Sequence, residues 1–250
     1  MSAGEAGGTP VKVDDIREAG RASGARAYRA LVYGDLPWHR ALYAEVVTTL
    51  FGGLGGAAGL WLRRTLYRPL FARAGGGVLF GRNVTLRHAH RIRLGEGVIV
   101  DDNAVLDAKG EGNAGITLGE RVFIGRNTIL YCKGGDIVVG DGVSFSANCQ
   151  VASGVRVEVG AGTVIGSFSY LLSGGEYDPE SPVPFARQSG QHGARALRIG
   201  ANCWIGAHVT VTDRGTVGDH SVVGAGAVVT GDLPPNSIAV GIPARVIRTL

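Results

Sequence analysis

Residues 199–229 read IGANCWIGAHVTVTDRGTVGDHSVVGAGAVV, and six aliphatic side chains in this stretch, Ile199, Ile205, Val211, Val217, Val223 and Val229, stand six residues apart. A helix repeats its apolar positions every 3.6 residues and an isolated strand every two, so neither accounts for a hexad. A short strand followed by a turn, repeated every six residues, does. The same interval recurs in Leu94, Val100, Leu106; in Leu118, Ile124, Leu130; in Val139, Phe145, Val151; and in Val159, Ile165, Leu171. Each triplet reads as one three-sided coil.

A second restricted position lies four residues beyond the aliphatic. Val98, Ala104, Val122, Thr128, Val143, Cys149, Thr163, Ser169, Cys203, Val209, Ser221 and Ala227 fill it, all small or β-branched. The chain therefore reads as an all-β solenoid, with large and small side chains alternating inward and successive coils bonding as parallel strands. Its 42 glycines suit the corners, where side chains would crowd, and they lack the G-X-Y period of collagen.

The hexad divides the rest of the chain. Residues 1–30 read as an N-terminal arm, its first ten residues too small and polar to bury a core and the stretch from Asp14 to Ala30 compatible with a short helix. Residues 31–75 form an apolar and basic helical region, residues 76–232 the solenoid, and residues 233–250 a C-terminal cap. Within 31–75 the run from Val46 to Leu62 carries no charge and is followed by Arg63, Arg64, Arg68 and Arg73. It lies too far into the chain for a signal peptide. It also holds five glycines and falls short of the roughly 20 apolar residues that span a bilayer. Two readings stay open: a helical hairpin packed on its own domain or a sister subunit, and an interfacial segment with Trp61, Tyr67, Phe71 and the arginines at the headgroups.

Residues 1–93 hold 14 Lys and Arg against 6 Asp and Glu, whereas residues 94–250 hold 11 against 15. The basic front lacks the interleaved aromatic residues and modules of a nucleic-acid binder, so no nucleic acid is expected and an anionic lipid surface is the better partner. The three cysteines, Cys132, Cys149 and Cys203, form no C-x-x-C pair and support neither a disulfide framework nor a zinc site, which fits a cytoplasmic setting.

The hexapeptide repeat, the segment IGANCWIGA at 199–207 and the tail VVTGDLPPNSIAVGIPARVIR at 228–248 together resemble the bacterial hexapeptide-repeat acyltransferases, which include maltose, serine and polysaccharide O-acetyltransferases. The resemblance covers roughly residues 76–248. It implies a left-handed parallel β-helix assembled as a homotrimer, with active sites between neighbouring prisms. It also implies direct acyl transfer from acetyl-CoA, a co-substrate rather than a resident cofactor, to a hydroxyl or amine, with a histidine as general base and no metal. Carried onto this sequence, Trp204, Gly206 and Ala207 match the turn that lines the pantetheine arm and thioester, and Ala225 the contact of the next coil. Thr230, Arg245 and Arg248 match the nucleotide or phosphate end, where cations suit anionic oxygens.

The acceptor side departs from the family. Leu171 and Ile199 are 28 residues apart where the repeat expects six, so an excursion loop, 172–198, leaves the coil. The family's histidine slot after a Gly-Gly turn holds Glu176 and Tyr177 instead. Three readings follow. Glu176 is the base, its pKa raised by burial between subunits; His192 folds back into the site; or catalysis is lost and the protein is a trimeric scaffold or ligand-binding subunit. Tyr177 suits hydrogen bonding to an acceptor better than deprotonating one. His88-x-His90 is similar to the metal ligands of the solenoid carbonic anhydrases, but no third histidine matches and Arg91 and Arg93 crowd it, so these read as surface histidines. His208 and His220 fall at outward positions, Cys149 and Cys203 at inward packing positions. The expected function is O-acyl transfer to a saccharide or saccharide-linked precursor, peripheral to the inner membrane through residues 31–75.

Overall fold

A computed structural model describes residues 23–175, 177–188, 190 and 192–250. Each hexad becomes a strand of two to four residues and a corner, and the strands stack into three sheets of seven, nine and seven strands, parallel throughout except for the last strand of the second. Every third strand along the chain joins the same sheet. In the first sheet Leu94 sits over Leu118, Val139 over Val159 and Ile199 over Val217; in the second Ile165 sits over Ile205 and Val223; in the third Leu171 over Val211 and Val229. These aliphatics are almost wholly buried and make one continuous core up the prism axis.

The small inward positions do more than save space. Thr163 Oγ1 donates to the Gly200 carbonyl at 2.8 Å and accepts from the Cys203 amide at 3.0 Å. Ser169 does the same between Gly206 and Val209. A buried hydroxyl must be paired, and here each one ties a coil to the coil above. The Cys149 and Cys203 thiols occupy the columns of Ser169 and Thr163 respectively, reach the Gly166 and Gly218 carbonyls at 3.2 Å, and are pushed up in pKa by burial.

The corner between the second and third sheets needs a left-handed residue. Asn83, Asn103, Asn127 and Asn148 supply it with φ of 55 to 60°. Their amides bond up the corner in pairs, Asn83 to Asn103 at 3.3 Å and Asn127 to Asn148 at 3.1 Å. Asparagine tolerates this conformation better than other chiral residues because its short side chain bonds locally.

Both ends of the prism are covered. At the first coil lie α1 (Gly24–Val32), α2 (Trp38–Phe51) and α3 (Gly56–Leu66). The uncharged run thus folds as a hairpin of α2 and α3. Ala44 and Val47 of α2 and Gly59 and Arg63 of α3 face inward, while Trp38, Leu42, Val46 and Leu50, spaced four apart on α2, lie exposed with Trp61. Gly59 is required by closeness: a Cβ there would stand 2.0 Å from the Leu54 carbonyl oxygen. At the last coil Ser237–Val240 adds to the second sheet, and Arg245–Thr249 returns antiparallel along it.

His88 and His90 differ from expectation. Rather than standing on the surface of a strand, His88 adopts a left-handed conformation, φ 51°, ahead of a 3-10 turn at Ala89–Arg91, and is only 6% exposed. Its backbone N–H bonds the Val32 carbonyl, its Nε2 lies 3.1 Å from the Ala30 carbonyl, and its ring stacks on that of His90. The end of α1 packs on this pair, which alternation of side chains along a strand could not reveal. The expectation for residues 1–22 lies outside the described residues.

Candidate active site

Trp204 stands on the outer face of the second sheet, 62% exposed, because its neighbour Ile205 takes the inward position. Register places it between Val164 of the preceding coil and Val222 of the following one. Beside it runs a groove of about 640 Å³, lined by Gly162, Asn202, Trp204, His220, Asn236 and Leu250 among others. Asn202 Nδ2 and His220 Nδ1 are 2.8 Å apart along its edge.

Two residues on, the chain makes a close approach. A Cβ on Gly206 would meet the Ala225 nitrogen at 2.6 Å, and one on Gly166 would meet the Ala207 nitrogen at 2.6 Å. Glycine therefore lets Ala207 and Ala225 stack on adjacent coils. Neither alanine amide donates to another described residue. Trp204, Gly206, Ala207 and Ala225 thus form one contiguous patch with two N–H donors to spare, a setting suited to a developing negative charge.

The same sheet carries the patch toward cations. Trp204 aligns with Val222, Val222 with Ile238, and Ile238 with Arg248. Arg245 pairs across from Val240, and both arginines are exposed, as is Thr230 at the end of the last third-sheet strand. A ligand with an anionic end would find apolar contact at Trp204 and guanidinium groups three strands away, roughly 14 Å at a strand spacing of about 4.8 Å.

The excursion loop leaves the third sheet after Ser173 and re-enters the first sheet at Leu197. It springs from the edge opposite the second sheet, so within one chain the loop and the Trp204 patch lie on different sides of the prism. Glu176 lies outside the described residues. Tyr177 is exposed, packs edge-on to Phe185 at 6.0 Å and lies against Gly190; His192 is exposed. Gln188 holds the loop in shape: its Oε1 accepts from the Asp178 amide at 2.7 Å, and its Nε2 donates to the Asp178 and Val183 carbonyls at 3.0 and 2.8 Å. Among the described residues no three His, Cys, Asp or Glu side chains gather as a metal site.

The sequence reading missed several residues here. At the left-handed corner Phe168 and His208 replace the asparagines of earlier coils, and their rings stack at 4.9 Å and 4°. Tyr170 bonds Tyr131, and burial together with that bond pushes its phenol up. The departure from Asn at a repeating corner was the available signal for Phe168 and His208.

A family model described as bacterial transferase hexapeptide (six repeats) matches residues 197–231. The galactoside O-acetyltransferase of Escherichia coli (strain K12) is 33% identical over 135 residues, covering 54% of this chain and 64% of that protein. A Staphylococcus aureus (strain Mu50) protein that bears an acetyltransferase name is 37% identical over 126 residues, covering 44% of this chain and 63% of that protein. The chain thus spans just under two thirds of the length of these curated relatives. In fold it is similar to a mutant of AntD, an N-acyltransferase from Bacillus cereus in complex with dTDP-4-amino-4,6-dideoxyglucose and coenzyme A. That likeness has a TM-score of 0.52 at 19% identity and covers 74% of this chain and 86% of that chain.

Proposed function

We propose, from the hexapeptide-repeat match over residues 197–231 and the likeness to the galactoside O-acetyltransferase, that the chain is an acyltransferase that uses acetyl-CoA. The acceptor is a hydroxyl of a saccharide or saccharide-linked precursor. The observation that carries this reading is the second-sheet row Trp204, Val222, Ile238 and Arg248, with the unpaired Ala207 and Ala225 amides beside its Trp204 end: donors for the thioester oxygen, an apolar wall for the pantetheine arm and cations for the phosphates. In the proposed step a base on the excursion loop, Glu176 or His192, takes the acceptor's hydroxyl proton. The oxygen attacks the thioester carbonyl, the Ala207 N–H stabilises the oxyanion, the carbon–sulfur bond breaks, and the thiolate departs to be protonated. Tyr177 hydrogen-bonds the acceptor.

Because the loop and the Trp204 patch face away from each other in one chain, this reading requires a second copy. The outward side chains suggest where it sits. The first sheet presents Arg93, Thr117, Val138, Glu158 and Arg198, a mostly polar row, whereas the second presents Ile99, Phe123, Ser144, Val164 and Val222 around Trp204, a mostly apolar one. An apolar row of this length favours association, and a closed homotrimer would set one copy's loop against its neighbour's Trp204.

No helix among the described residues is long and apolar enough to cross a membrane. The exposed stripe of Trp38 (69%), Leu50 (63%) and Trp61 (65%), flanked by Arg40, Arg64 and Arg68, supports peripheral contact with an anionic bilayer. Flotation with phosphatidylglycerol vesicles should be lost when Trp38, Leu50 and Trp61 are changed to serine; unchanged flotation removes this part.

Calorimetric titration with acetyl-CoA and coenzyme A tests the main reading before any acceptor is known. One site per chain supports it. Absence of binding favours the alternative, a noncatalytic scaffold, or a carrier-protein donor. Glu176→Gln and His192→Ala, singly and together, then identify the base, and full turnover in the double variant excludes both.

A further inference from the structure

Between the N-terminal helices and the first coil the chain encloses a cavity of about 630 Å³. Small-molecule sites typically occupy about 300–1,000 Å³. The cavity lies at the other end of the prism from Trp204. Five strand steps separate Leu79 from Trp204 in the second sheet, or about 24 Å at a spacing of about 4.8 Å. It is therefore separate from the groove discussed above, and its argument does not depend on acyl transfer.

Its walls are of two kinds. Leu36, Leu70 and Val84, each no more than 8% exposed, give an apolar surface. Arg40 and Arg87 bring positive charge to the same space. Arg40 spends one Nη2 bond on the Pro69 carbonyl at 3.2 Å and has no carboxylate partner among the described residues. Arg87 shares Asp107 with Lys109, at 3.5 and 3.3 Å, so two cations face one carboxylate.

The nearby acids are already engaged. Glu45 Oε2 accepts the Tyr28 and Tyr33 hydroxyls at 2.8 and 2.5 Å, and Asp35 Oδ1 lies 3.0 Å from His90 Nε2 and 3.7 Å from an Arg91 nitrogen. What remains is a half-enclosed space with hydrocarbon on one side and an excess of guanidinium on the other. Guanidinium next to apolar walls is complementary to a carboxylate or phosphate, which it binds through paired N–H donors, and the apolar wall is complementary to an alkyl chain.

We propose that this cavity binds an amphiphile with one anionic head, a carboxylate or a phosphate ester, held toward Arg40 and Arg87 with its hydrocarbon against Leu36, Leu70 and Val84. The ligand enters from the helical end, where the exposed apolar stripe of α2 begins.

The test titrates the full chain with cis-parinaric acid, whose fluorescence rises in an apolar site. One saturable site per chain is expected, displaced by dodecanoate or dodecyl phosphate, whichever head the site prefers, and at least tenfold less well by dodecanol or dodecyl maltoside. Arg40→Gln with Arg87→Gln is expected to weaken the probe at least tenfold while leaving acetyl-CoA binding unchanged. Arg40→Gln alone, at an exposed position, should weaken it measurably with the melting temperature unchanged. No saturable binding, equal displacement by dodecanol, or unchanged affinity in the double variant would overturn the proposal. So would binding that occurs only after residues 1–22 are deleted, since the chain's own arm would then be the occupant.

Discussion

The Nε of Arg63 donates to the Phe80 carbonyl at 3.0 Å, and Nη1 of the same guanidinium donates to the Phe51 and Leu54 carbonyls at 3.0 and 2.6 Å. Phe51 ends α2, Arg63 belongs to α3, and Phe80 is the inward residue of the first strand of the second sheet. One side chain, 2% exposed, thus closes a helix C-terminus and fastens the hairpin to the prism. A cation suits the carbonyl end of a helix, and burial without a carboxylate is tolerated because the fork is spent on backbone oxygens.

Replacing it tests that role. Arg63→Met keeps much of the volume but takes the side-chain donors from the buried Phe80 carbonyl and the part-buried Phe51 and Leu54 carbonyls, at about 1–3 kcal/mol for an unsatisfied group. A loss of about 3 kcal/mol is expected in urea unfolding, with Arg63→Lys falling between, since one ammonium cannot reach all three oxygens in the same geometry.

Acid should weaken the docking of α1. Burial lowers the pKa of both His88 and His90 from the ordinary value of 6.5. The unfolded chain therefore binds protons that the folded chain resists, so the stabilisation is full above about pH 6.5 and is lost as pH falls through the depressed folded values. His88 Nδ1 and His90 Nδ1 have no hydrogen-bond partner among the described residues, which leaves an added proton there unsatisfied. Melting temperature should fall between pH 7 and 5 by more in the native chain than in His88→Gln, with proteolysis at α1 rising in parallel.

Trp204→Ala separates binding from folding. The side chain is largely exposed and its loss should change stability by less than about 1 kcal/mol. Acetyl-CoA affinity, measured by calorimetry, should drop at least tenfold. Gly206→Ala should lower both, because its added methyl meets the Ala225 nitrogen at 2.6 Å.

Gln188→Ala removes three hydrogen bonds that shape the excursion loop. The prism does not depend on them, so the melting temperature and acetyl-CoA affinity should hold. Turnover with an identified acceptor should fall, and cleavage within residues 177–188 should quicken.

The prism was legible in the sequence because its periodicity is mechanical: Ile199, Ile205 and Val211 must recur six apart for a coil to close over the one below. Cys149 and Cys203 were legible as packing for the same reason, although their bonds to the coil above were not. The helical end was harder to read. Arg63 looked like one of several basic residues after an apolar run, since nothing local tells a cation that it will meet three carbonyls brought from elsewhere. His88 and His90 were misread because a left-handed residue breaks the alternation on which inward and outward assignments rest. At the site, Trp204, Gly206, Ala207 and Ala225 were found through a motif and lie contiguous, whereas Tyr177 and His192 stand on a loop at another side of the same prism and Glu176 lies outside the described residues.

The return strand Arg245–Thr249 has a consequence for how copies of the protein can meet. Stacked parallel coils are an open template, since the last coil offers the next molecule the same row of amides and carbonyls that it received from the coil beneath. Here that row is interrupted. Pro234 and Pro235, which have no N–H, lie over Gly218 at the end of the first sheet, and the second sheet finishes in an antiparallel strand bearing Arg245 and Arg248. With helices over the opposite end, the prism is a filament segment stopped at both tips, leaving its flanks as the direction in which molecules can join.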